Sequence, residues 1–331
     1  AQKLATQNHT STDAAGLSGP MRYLWDDQPA GRPWRFSHTL DSAPRRRALV
    51  SGPLMGFISD YGDVLTGGER AGPATKPRFS RSSLLTFFGN EVILQAIVAI
   101  NSPAYRTPTV KPDAPRRLER IIITVPAGMH PRERQIVLQR MQAAAKLTWA
   151  GLGWAVQPGS PPLPSVSLVE DNATNAQTAY LHNEIECKFG GKASEYFDLI
   201  GKARPGHRAA RTIRVASLDI GGGSTGLSVA NYELQQSKGI IRQHLAVDGF
   251  SIGGDDILKR IVECHLVPAI ERALSDSKLG KPRRFLEDIM GGAANGRPSW
   301  IAEFGRRFAA EFSLPVALAL LKECREPRAA G

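Results

Sequence analysis

Residues Ser217-Leu218-Asp219-Ile220-Gly221-Gly222-Gly223-Ser224-Thr225-Gly226-Leu227-Ser228 decide how this chain is read. A buried strand delivers an aspartate into three consecutive glycines, two hydroxyl residues follow, and a second strand begins. Lacking a Cβ, glycine lets the backbone approach an anion and present its N–H groups. The hydroxyls of Ser224 and Thr225 add donors. Asp219, fixed at a strand end, suits a magnesium ion, which binds few carboxylates and keeps several waters. The segment is not a Walker loop, which leads into a helix and needs GKS or GKT. It is not GxGxxG ahead of a helix either, so a dinucleotide site is disfavoured. Two readings stay open at this point: a phosphate loop between two strands, or a plain glycine hairpin.

Outward from the hairpin, strands alternate with helices, the pattern of an α/β fold. Apolar runs predict strands over 213–220, 226–233 and 239–247. A helix over 255–274 carries Ile257, Ile261, Cys264, Val267, Ile270 and Leu274 in stripe. The remainder, 284–326, reads as helical, with 316–321 as core. Before the hairpin, the spacing predicts a largely buried helix over 82–101, a β-branched strand over 121–125 and a helix opened by Pro131. A strand over 166–169 and a helix over 173–188 follow. Residues 1–80 are broken by prolines and by turns such as Thr66-Gly67-Gly68, which predicts loops and short strands at 48–50 and 54–58. The basic connector KARPGHRAAR (202–211) marks a domain boundary. This gives a poorly defined segment 1–80, a first domain 81–205 and a second domain 206–331.

Composition narrows the function classes. The chain has 331 residues, 42% hydrophobic and 22% charged, which excludes wholesale disorder. Its longest apolar run, 92–100, is interrupted by Gln95, which predicts no membrane span. The first residue is Ala1 rather than Met, and the polar opening has no signal-peptide pattern. A piece of a longer protein is the expectation. Cys187, Cys264 and Cys324 are far apart with no metal-ligand spacing, so they read as partly buried thiols in a reducing, cytoplasmic setting, with export by a signal-less route left open.

The net charge of +11 is uneven. Residues 1–165 carry 20 basic and 11 acidic side chains, residues 166–331 carry 22 and 20. Arg45-Arg46-Arg47 and Arg116-Arg117-Leu118-Glu119-Arg120 hold part of the excess. Nucleic-acid binding through that face would weaken steeply with salt. Aromatics amount to only 7% and do not interleave with the arginines, which argues against it. His182, His207, His244 and His265 have no partner at catalytic spacing, and Ser224 lacks the GxSxG elbow of a hydrolase nucleophile.

DIGGGST between two strands resembles the second phosphate motif of the actin, heat-shock chaperone and sugar kinase ATPase superfamily. IIITVPAG (121–128) with the helix after it resembles the elements that close the chaperone's first lobe. TNAQTAY (174–180) is similar to its crossing helix, and DGFSIGGDDIL (248–258) to the helix opening after its phosphate hairpin. More narrowly, 88–106 (ending INSPAYR), 121–129, YLHNEIECKFGG (180–191), 216–227 and VALALL (316–321) resemble the bacterial virulence factor SrfB family. The likeness runs from about 82 to 325.

The resemblance implies actin-like (ribonuclease H-like) ATPase lobes, with mixed sheets flanked by helices and incomplete in this chain. ATP and Mg2+ would bind between them, and lobe closure would act on protein partners. Gly221, Gly222, Gly223, Ser224 and Thr225 would line the β- and γ-phosphates, and Asp219 would orient a magnesium-bound water. Two departures bear on hydrolysis. Gly226 stands where the superfamily has a polar residue. Asn172 stands where the crossing helix has an acid, and Asn is no general base. Residues 1–80 hold no Asp-x-Gly-Ser/Thr hairpin. Residues 290–297 (MGGAANGR) carry glycines without a strand leading in, and read as a loop rather than an adenosine motif. The alternatives are therefore a weak ATPase in a longer parent chain, and a degenerate ATPase fold kept as a protein-interaction scaffold.

Overall fold

The computed structural model describes residues 20–35, 48–65, 72–108, 111–206, 211–235, 239–277, 280–290 and 299–325. It divides into two compact units, Ala1–Ile213 with Glu233–Ile241, and Arg214–Tyr232 with Arg242–Gly331. Both combine helices with a small sheet, so the chain is α/β. Arg45-Arg46-Arg47, Thr66-Gly67-Gly68 and residues 291–297 lie outside the described residues.

The first unit is built on a parallel strand–helix–strand motif. Helix α1 (Leu84–Asn101) precedes strand β1 (Arg120–Val125), helix α2 (Pro131–Gly151) and strand β2 (Ser165–Asp171). β1 and β2 pair in parallel from Arg120↔Ser165 to Ile123↔Leu168, and the register shifts before Val125↔Asp171. Parallel neighbours need a long crossover, and α2 supplies it. Pro131 sits at its start, and the cap is reciprocal. The His130 side chain accepts the Arg132 N–H at 3.2 Å, and Glu133 Oε2 accepts the His130 N–H at 3.1 Å.

α2 feeds three hydrophobic clusters. Val137 packs with Leu24, Leu85 and Val125. Ala144, Ala145 and Trp149 pack with Ile93. Leu147 packs with Ile58 and Phe79. The last cluster explains residues 54–58, where a strand was expected. Pro53 starts a 3-10 turn over Pro53–Phe57, which lays Leu54, Met55 and Phe57 against the Ile58, Phe79 and Leu147 cluster. α1 approaches α2 closely at Gly89, where an added Cβ would come within 2.7 Å of Met141 Sδ.

The run over 92–100 lies inside α1, and a core helix can match a membrane span in length and composition. α1 spans 18 residues at a mean hydropathy of 1.5, long and apolar enough by length and composition to cross a membrane. It is also less buried than its spacing implied. Leu85 and Ile93 are covered, whereas Phe88, Val92 and Val98 are exposed.

Most of strands β3 (Thr212–Ile220), β4 (Thr225–Gln235) and β5 (Gly239–Phe250), namely 214–220, 225–232 and 242–250, belongs to the second unit, and the three strands form one sheet in that order. Short links make adjacent strands antiparallel. β3 is not the buried strand expected, because Leu218 and Ile220 are each 61% exposed. Helices α5 (Gly254–Ile261), α6 (Val267–Asp276), α7 (Pro282–Met290), α8 (Ser299–Phe308) and α9 (Leu314–Arg325) follow, numbered after α3 (Asn172–Phe189) and α4 (Ala193–Ile200) of the first unit.

The single helix read over 255–274 is interrupted by a π turn, Val262–Leu266, and a second π turn, Ala309–Ser313, joins α8 to α9. One cause serves both. Pro268 and Pro315 each stand second in the following helix. Each lacks the N–H that would bond the carbonyl four residues back, inside the turn, so the turn widens. Residues 316–321 are not a buried core segment: Ala317 is covered, while Leu318 and Leu320 are exposed. The three cysteines are free and exposed rather than partly buried.

Candidate functional site

The hairpin joining β3 to β4 closes on itself through Gly221 N–H to Ser224 O, 2.8 Å. It is locked onto the start of α5 by two further bonds. Gly254 N–H donates to Gly221 O (2.9 Å) and Asp255 N–H donates to Gly222 O (2.8 Å). A helix leaves its first N–H groups without intrahelical partners, and two of those at α5 are satisfied by the glycine carbonyls. The Asp256 carboxylate accepts the Gly253 N–H at 2.9 Å and completes the junction. Thr225 Oγ1 donates to Ile252 O (2.7 Å), which ties the hairpin to the segment before the helix.

These bonds orient the loop. No peptide bond among the described residues is cis. In a planar trans peptide the C=O and the next N–H point opposite ways. With the Gly221 and Gly222 carbonyls turned to α5, the N–H groups of Gly222 and Gly223 are turned away from it. Among the described residues neither of these amides, nor that of Ser224, makes a hydrogen bond. Successive backbone donors aimed the same way form an anion-binding concavity.

The glycines are needed for closeness rather than for a left-handed backbone. None of Gly221, Gly222 and Gly223 has a positive φ. A Cβ on Gly222 would lie 3.7 Å from the Asp255 carboxylate, and one on Gly253 would lie 2.5 Å from Gly222 O.

Asp219 stands two residues before the loop on the more covered face of β3, half-buried. Among the described residues its carboxylate makes no hydrogen bond or ion pair. Among the described residues, no group of three or more His, Cys, Asp or Glu gathers there to hold a metal ion directly. One carboxylate beside free amides fits a hydrated Mg2+ held mainly through water and phosphate oxygens.

The sequence reading therefore places Asp219, Gly221, Gly222, Gly223, Ser224 and Thr225 on one hairpin, and the structure adds Asp255 and Asp256. Their signal was present in Gly253-Gly254-Asp255-Asp256, small residues followed by acids in the first turn of a helix. The Thr225 hydroxyl proton is engaged by Ile252, so Ser224 holds the hydroxyl without a partner among the described residues.

Asn172 belongs to the first unit, where it is the first residue of α3 and half-buried. The acid beside it has a structural task. Asp171, 8% exposed, caps α3: Oδ1 accepts the Thr174 N–H at 2.9 Å and Oδ2 the Thr174 hydroxyl at 2.6 Å. Asp171→Ala is expected to cost about 1–2 kcal/mol, the usual worth of an N-cap. The readout is a lower urea midpoint at unchanged slope. Asp171→Asn, which keeps an oxygen for the Thr174 N–H, should cost far less.

These features define a class: an α/β protein of two units whose second sheet ends in a glycine hairpin, seated on a helix start with its amides turned outward. The particular family follows from the sequence as a whole. The chain belongs to the virulence factor SrfB family, whose model matches residues 1–329. No curated protein matches the sequence.

Proposed function

We propose that this SrfB-family chain carries an actin- or chaperone-type nucleotide-binding core in a bacterial cytoplasmic protein. Mg2+-ATP binds through the hairpin, and nucleotide state switches the lobes to act on protein partners. The observation that carries this reading is the pair of Gly222 and Gly223 amides, unbonded and turned away from α5, with the Asp219 carboxylate one strand-end away. The β- and γ-phosphate oxygens accept from these amides and from Ser224, and Asp219 orients a water of the hydrated magnesium ion. Titration calorimetry of Mg-ATP into the protein tests it, with Gly222→Val as the control. Saturable heat in the wild type that is lost in the variant is expected. Equal heat in both, or none in the wild type, would remove the phosphate loop.

A second reading has its own observation. Asn172 replaces the acid expected at the crossing helix, and the neighbouring Asp171 is held by Thr174. A nucleotide-binding fold without a general base would serve as a protein-interaction scaffold. In that case Gly226→Asp with Asn172→Glu leaves partner binding unchanged, and loss of the partner counts against it.

A further inference from the structure

The N-terminal half of α2 is unusual for a helix so central to its unit. Arg132, Gln135, Ile136, Gln139 and Arg140 recur at i, i+3, i+4, i+7 and i+8, the spacing that normally forms an apolar stripe. Four of the five are polar. They line one wall of a cleft of about 470 Å³ formed wholly by first-unit residues. Asp27, Asp63 and Ser82 stand on the other walls, over the apolar Leu24. That volume suits a small molecule and is far too small for a folded partner.

The walls are fixed by their own bonds. Asp63 exchanges hydrogen bonds with Ser59, donating its N–H to Ser59 Oγ at 3.2 Å and accepting the Ser59 N–H at 2.8 Å. Ser82 N–H donates to Asp26 O at 2.9 Å, and Asp26 pairs with Arg81. At the rim, the Arg132 guanidinium lies over the Trp25 ring (5.2 Å to its centroid), and the Trp25 N–H donates to Glu133 at 2.6 Å.

Arg140 is the unsatisfied member. Its Nε donates to Ser82 Oγ at 3.2 Å, and among the described residues its two terminal nitrogens make no bond. Neither Asp27 nor Asp63 lies within ion-pair distance of it. Burial pulls the Arg140 pKa down, and the charges of Asp63 and Asp27 act in the opposite direction. A half-buried guanidinium with an open fork calls for a carboxylate. Two carboxylates in the same cleft call for a cation, and two carboxamides supply donors and acceptors for amide groups. A lone phosphate fits poorly, because Asp27 and Asp63 would repel it. Arg132 and Arg140 are also about 12 Å apart along the helix axis, too far for a joint clamp.

We propose that this cleft binds a short peptide with free ends, its terminal carboxylate on Arg140, its ammonium on Asp27 and Asp63, and its amides on Gln135 and Gln139. The site is independent of the glycine hairpin. The probe is trialanine, followed by saturation-transfer NMR against the intact protein, beside N-acetyl-trialanine, trialanine amide and inorganic phosphate. Saturable binding of trialanine is expected, weakened about tenfold or more by blocking either end, which corresponds to about 1.4 kcal/mol. Arg140→Gln should remove discrimination against the amide. Asp63→Asn, an exposed position that tests the idea should Arg140→Gln fail to fold, should weaken trialanine while leaving N-acetyl-trialanine unchanged. Equal binding of free and blocked peptides, phosphate binding in place of peptide, or no trialanine binding by folded wild type would each overturn the proposal.

Discussion

Gly253→Ala is expected to detach the glycine hairpin from α5 and to destabilise the second unit by about 2–6 kcal/mol. Gly253 has an extended backbone (φ −150, ψ −167), so alanine meets no conformational objection. The obstacle is space. The new methyl would lie 2.5 Å from Gly222 O and 2.7 Å from both Gly221 O and Gly222 C, all backbone atoms. Backbone cannot swing aside as a side chain does, so the hairpin must move off the helix start. Such overpacking costs about 1–3 kcal/mol, and the two lost bonds to Gly254 and Asp255 add about 0.5–1.5 kcal/mol each.

Hydrogen exchange at the Gly254 and Asp255 amides reads the effect directly, and their protection should fall. Mg-ATP affinity should fall with it, because the carbonyl–helix bonds are what turn the Gly222 and Gly223 amides outward. Gly31→Ala is the control, since a Cβ there meets nothing within 4 Å. It should change stability by less than about 0.5 kcal/mol. Unchanged exchange at both amides in Gly253→Ala would show that the junction does not hold the loop.

That junction marks the limit of what the sequence disclosed. Strand–glycine–strand was legible in residues 217–228, because three glycines between apolar runs admit little else. The β-branched run at 121–125 and Pro131 at a helix start were equally local signals, and the structure places β1 and α2 there. The direction in which the loop's carbonyls face was not legible. It depends on hydrogen bonds to Gly254 and Asp255, more than thirty residues on.

The π turns were hidden for a related reason. Apolar periodicity continues through Val262–Leu266, and only the missing N–H of Pro268 interrupts the ladder. Apolar spacing does not report burial where one face of an element stays uncovered. Leu218, Ile220, Leu318 and Leu320 carry the pattern of core residues, yet are exposed. The polar stripe on α2 keeps the spacing of a buried face with Arg and Gln in place of apolar residues, so it carries no hydrophobic signal.

Trp149→Ala carries the largest expected cost in the first unit, about 3–5 kcal/mol. The apolar stripe of α2 can be read from Val137 through Met141 to Ala145, and Trp149 is its next member at four residues' spacing. Its ring is 3% exposed and packs on Ile93 and Ala145, with Trp154 edge-on at 5.2 Å. Its indole N–H donates to Pro161 O at 2.8 Å, which pins the proline-rich stretch that leads into β2. Truncation to alanine thus empties a large volume between α1 and α2 and also releases the Pro161 carbonyl. The total is a large fraction of the roughly 5–15 kcal/mol that holds a typical domain folded.

Trp149→Phe separates the two contributions. It keeps most of the packing and removes the donor, and should cost nearer to 1 kcal/mol for the bond, with some added for the smaller ring. Denaturant unfolding of both variants measures the difference. If Trp149→Phe proves as damaging as Trp149→Ala, the hydrogen bond to Pro161, and not the filled volume, holds this end of α2 in place.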